Sequence, residues 1–194
     1  MLPTDVPVLS FAAASEFEAW LEEHHAEPGG ILIKFAKAGT GIASITYPEA
    51  VEAALCFGWI DGQSKRLDDT YWVQRFTPRR PRSMWSRINR DKALALIAAG
   101  RMRPAGLREV ERAQADGRWE RAYAGPATAE VPPELASVLE NDPQAAAFFA
   151  GLDKTNRYAY IHRFQQAKRP ETRAKLVAGL REGRLLHQRR PSRS

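Results

Sequence analysis

The residues best suited to chemistry lie between Gly58 and Asn89. In FTPRRPRSMWSRIN (Phe76–Asn89), Arg79, Arg80, Arg82 and Arg87 stand beside Ser83, Ser86 and the start of a helix. Helix N-termini expose unpaired N–H groups and carry partial positive charge, so they attract phosphate and carboxylate groups. Arginine adds a planar fork of donors shaped for the same anions. Flanking prolines stiffen the loop and lower the cost of ordering it. The expected site is an anion-binding one made of Arg79, Arg80, Arg82, Ser83, Trp85, Ser86 and Asn89, with Asp61, Lys65 and Arg75 as secondary members. The competing reading is that Ser83 caps the helix and the arginines are solvated.

Asp61, in GWIDGQSK, is the candidate acid or base: it could orient Arg75 or another arginine, act as a general base, or be a turn or salt-bridge residue. Of the tryptophans near the arginines, Trp59 and Trp72 are expected in the core and Trp85 at the site, where an indole can stack on a ring or a cation. Cys56 follows Ala53-Ala54-Leu55 on an apolar helix and reads as core, without the electropositive, accessible setting of a nucleophile. His24 and His25 are adjacent, and His162 and His187 stand alone, so no metal-ligand spacing exists. No nucleophile elbow, Walker loop or dinucleotide fingerprint is present. The expectation is no metal, no cofactor and, on balance, no enzyme.

These residues need elements to position them. SEFEAWLEEHH (15–25) has helical spacing of Phe17, Trp20 and Leu21, with Ser15 and Glu18 as a capping box. ILIKFAK (31–37) alternates as a strand, and 39–44 is a loop. Thr46 caps a second helix with Pro48 and Glu49 behind it, and Gly58 closes it. Residues 59–67 and 70–77 form a hairpin turning at Asp68-Asp69. Pro78–Arg82 is exposed and non-helical. The next helix starts at Ser83 or Asn89 and ends at Gly100. Another covers 104–116. After an Ala/Pro/Thr-rich linker come four helices, opened by Pro133, by Asp142-Pro143, by Asp153 and by Pro170.

The fold class is therefore α+β. A short antiparallel sheet with helices makes the N-terminal part (1–123), a linker spans 124–132, an all-helical part covers 133–187, and 188–194 is a disordered tail. The chain has 194 residues, enough for a sizeable core. It carries no long apolar run and no basic start followed by one, so it is expected in the cytoplasm without membrane insertion. One cysteine precludes an internal disulfide. Net charge is +6 but unevenly spread. Residues 1–61 hold two basic and nine acidic residues; residues 62–103 hold eleven basic and three acidic. Such a field steers an anionic partner to one face.

The stretches YPEAVEAALCFGWIDGQSKRLDD, RFTPRRPRSMWSRIN and GRMRPAGLREVERAQADGRW resemble the bacterial YdeI/OmpD-associated family. LENDPQAAAFFAGL and YAYIHRFQQAKRPETRAKLVAGL are similar to its C-terminal OmdA-type region, so the resemblance runs from about Phe11 to about Leu186. It marks Gly58, Trp59, Ile60, Asp61, Gly62, Pro78, Arg79, Ser83, Trp85, Ser86 and Asn89. It implies a link to protection against bacteriocins and cationic antimicrobial peptides and to an outer-membrane porin. It implies no defined reaction. A basic face repels cationic peptides, which disfavours their direct capture there. The expected function is binding of a small anion or an acidic protein partner. Two alternatives stay open: nucleic-acid binding by the same face, helped by the basic helical pair 167–180, and an enzyme using Asp61 on an anionic substrate.

Overall fold

A computed structural model describes residues 6–188, which fall into two compact units dividing between Ala122 and Tyr123. The tail expected from 188 lies, beyond Gln188, outside the described residues.

The first unit is built on a four-stranded sheet in the order β1-β2-β4-β3: β1 (Val8–Leu9), β2 (Ile31–Ala36), β3 (Trp59–Arg66) and β4 (Tyr71–Pro78). The expected antiparallel sheet is mixed, because β1 pairs parallel to β2. A two-residue strand directly after Pro7 is too short to show alternation. The hairpin is as expected: the Asp68 carboxylate accepts from the N–H groups of Thr70 and Tyr71, both at 2.7 Å.

Four helices complete the unit: α1 (Ala14–His24), α2 (Tyr47–Cys56), α3 (Arg87–Ala98) and α4 (Pro104–Ala115). Thr46 and Glu49 form the expected capping box of α2. At α1 the expected box is absent. Ala13 occupies the cap position, the Glu16 carboxylate accepts from Ala12 N–H instead, and Glu18 turns to Arg101. The core joins Phe17 and Leu21 of α1, Ile31, Ile33 and Phe35 of β2, Ala53, Ala54 and Leu55 of α2, Trp59 and Phe76. Gly106 lets α4 touch the end of α2; a Cβ there would collide with the Cys56 carbonyl.

In the second unit the elements are helices: α5 (Pro133–Asn141), α6 (Pro143–Ala150), α7 (Lys154–Gln166) and α8 (Pro170–Arg181). Asp142 and Asp153 cap α6 and α7 through their carboxylates, as their positions predict. Leu135, Phe149, Tyr160, Ile161, Phe164 and Leu180 form a core of its own. No described helix is long and apolar enough to cross a membrane.

Candidate functional site

The Pro78–Ser86 loop is positioned from both ends. At its start, Arg79 N–H donates to the Gly58 carbonyl at 2.9 Å. Gly58 holds φ at +76°, and a Cβ there would lie 2.9 Å from Glu109 Cγ. Both facts require glycine. At its far end, Ser86 rather than Ser83 or Asn89 caps α3, accepting from Asn89 N–H at 3.1 Å. Between them, Ser83 closes a tight turn: its hydroxyl accepts from Arg80 N–H at 3.0 Å and its own N–H donates to Arg80 O at 2.9 Å.

The loop's side chains separate into two layers. Arg79 was expected in an exposed segment, yet it is 5% exposed. Its guanidinium lies 3.6 Å from the Trp85 ring centroid, and Nη1 donates to Met84 O. Trp85 is 1% exposed and meets Trp119 edge-on at 4.9 Å, so its ring belongs to the core rather than to a surface. Arg118, unremarked in the sequence, completes the inner layer. It is 6% exposed; Nε donates to both oxygens of Asp116 at 2.8 and 2.7 Å, and Nη1 donates to Ser83 O at 2.6 Å. Those bonds hold the Asp116 carboxyl below its usual range. Trp85 Nε1 and Arg118 Nη2 are buried with no protein hydrogen-bond partner. The outer layer is Arg80 and Arg82, both exposed and without an ion pair among the described residues. Arg87 is exposed too, its Nε donating to Ala122 O at 3.4 Å.

The secondary members are divided by the sheet. Asp61 lies opposite Phe76, on the face that carries Ile31, Ile33 and Phe35. A register shift between Asp61 and Ser64 then sets Lys65 opposite Val73, on the other face. Val73 also pairs with Lys34, and Arg75 shares that face, opposite Leu32. Asp61 is thus not placed to orient Arg75. Its Oδ2 accepts from Tyr47 OH at 2.7 Å and from Gln74 Nε2 at 3.5 Å, tying the first residue of α2 to the hairpin. Burial, then the Asp61 bond and charge, push the Tyr47 phenol far above its ordinary value, so it keeps its proton.

Part of the charge asymmetry is used inside the unit. Arg101 bridges Glu52 at 3.1 Å and Glu18 at 3.2 Å, Lys92 reaches Glu52 at 3.3 Å, and Arg103 reaches Glu22 at 3.0 Å. A cavity of about 200 Å³ lies beside them, lined by Glu18, Cys56, Phe57, Gly100, Arg101 and Arg103. Burial pushes the Cys56 thiol up to about 11, so it stays protonated near neutrality. Among the described residues no group of three or more His, Cys, Asp or Glu could hold a metal ion.

Residues 128–182 match the family profile described as "Bacteriocin-protection, YdeI or OmpD-Associated" (OmdA). Residues 128–182 thus carry the signature of the YdeI/OmpD-associated family. Residues 9–109, more than half of the chain, match a second profile, a domain of unknown function (DUF8412). The segment Gly58–Asn89 therefore lies in the DUF8412 match and not in the OmdA one. No curated protein and no solved structure matches the chain.

Proposed function

We propose that this YdeI/OmpD-associated protein is a bacterial cytoplasmic binding protein rather than an enzyme, and that it captures a small anion or an acidic group of a protein partner on its Pro78–Ser86 loop. The bacteriocin-protection description of its OmdA match supports a role for that binding in stress or bacteriocin resistance. Arg80 and Arg82 are the contact residues; Arg79, Trp85, Ser83, Ser86 and Asn89 shape the loop beneath them.

One observation carries the reading. The loop is fixed from below by Arg79 stacked on Trp85 and by the 2.6 Å bond from Arg118 to Ser83 O, while Arg80 and Arg82 project from it unpaired. A cation pair on a pre-ordered loop loses less entropy on binding than one on a free chain. A catalytic role for Asp61 finds less support, because its Oδ2 already accepts from Tyr47 and Gln74.

The test is calorimetric titration of the full chain with inorganic phosphate, citrate and a Glu-rich peptide. Binding by at least one probe, weakened about tenfold or more by Arg80→Glu/Arg82→Glu, supports the reading. Equal binding by that variant, or no binding to any probe, overturns it. If a DNA duplex binds instead, with affinity falling steeply with salt, the partner is nucleic acid.

A further inference from the structure

The second unit holds a cavity whose chemistry the loop does not share. On α7, Tyr160 and Arg163 stand one turn apart; on α8, Lys175, Leu176 and Gly179 follow helical spacing. With Ala167, Arg184 and Leu186 they line a space of about 390 Å³, within the range of small-ligand sites. The lining includes three cations and no carboxylate. Arg184 pairs with Glu182, whereas Arg163 and Lys175 have no ion pair among the described residues.

The cavity wall is held in place by bonds that need no ligand. Tyr160 OH donates to Arg184 O at 2.6 Å. The carboxamide oxygen of Asn156, a buried residue, accepts from Leu186 N–H at 2.9 Å and His187 N–H at 2.8 Å, fixing the segment after α8. Gly179 sits inside a helix, where glycine is disfavoured relative to alanine. A Cβ there would stand 3.0 Å from the Tyr160 hydroxyl, so the close approach of α8 to Tyr160 favours glycine.

We propose that this α7–α8 cavity binds a small amphiphilic anion, a medium-chain carboxylate whose head lies between Arg163 and Lys175 and whose alkyl chain packs on Leu176 and Leu186. Arg163 and Lys175, without an ion pair among the described residues, repel a cation and attract an anion. The apolar lining distinguishes the ligand from a bare anion such as phosphate, because filling it removes hydrocarbon from water.

The experiment is an NMR titration of the full chain with sodium decanoate, with acetate and decanol as controls. The expected result is saturable binding, with amide shifts confined to residues 160–186. Decanol and the Arg163→Gln/Lys175→Gln variant each bind about tenfold more weakly or worse, since a charge-assisted hydrogen bond is lost in both. Acetate leaves the spectrum unmoved. Arg80→Glu/Arg82→Glu binds decanoate like the parent, separating this cavity from the loop. The proposal is overturned if decanoate does not saturate, if the Gln variant binds equally well, if decanol matches decanoate, or if anionic vesicles bind and free decanoate does not.

Discussion

Arg79 and Arg80 are neighbours in sequence and opposites in use. Arg79 lies on an indole inside the first unit and is 5% exposed; Arg80 stands in water with only its backbone engaged. The same contrast separates Arg118, bonded to Asp116 and Ser83, from Arg82. An arginine-rich motif is thus not one surface. Its inner members set the loop's shape, and its outer members stay exposed, where the proposed partner would meet them.

The inner layer carries the largest expected effects. Trp85→Ala removes the ring beneath Arg79 and the contact with Trp119, and should cost about 3–5 kcal/mol in urea unfolding. Arg118→Leu removes the tie to Ser83 O and the bonds to Asp116; the expected loss is about 2 kcal/mol, together with weaker anion binding because the loop loosens. Ser86→Ala deletes the α3 cap, for about 1 kcal/mol by the same assay. Arg80→Ala and Arg82→Ala should each change stability by less than about 0.5 kcal/mol, as exposed substitutions usually do. If an outer variant destabilises as much as Arg118→Leu, the two layers are one.

Cys56 gives a pH-dependent companion to these variants. Its thiol is raised from 9.0 to about 11 in the folded chain, so the folded state holds the proton more tightly than the unfolded state. The stabilisation is complete below about 9 and is lost as pH climbs towards about 11. Cys56→Ala should flatten that part of the stability–pH curve measured by denaturant unfolding.

Local signals in the sequence located much of this fold. Thr46 with Glu49, Asp142 and Asp153 announced helix starts because capping depends on a few adjacent residues. Asp68-Asp69 announced the hairpin for the same reason. What the sequence hid was longer in range. Trp119 lies far along the chain from Trp85, and so does Arg118 from Ser83, so nothing local in PRRPRSMWS tells which arginine turns inward. The register shift after Asp61 is equally silent: unbroken alternation would set Asp61 and Lys65 on one face, and the shift parts them. The ion pairs of Glu18, Glu22 and Glu52 with Arg101, Arg103 and Lys92 likewise absorb charge that looked free for a partner.

The proposed division of labour is that the outer arginines bind and the inner ones shape. It is tested most directly by an NMR titration with citrate that follows the amides of Arg79–Asn89 in the parent and in Arg80→Ala/Arg82→Ala. The account predicts saturable shifts at residues 80–83 in the parent, and their loss in the variant while the Trp85 indole resonance keeps its position. Citrate shifts that persist in the variant, or that fall only outside the loop, would contradict it.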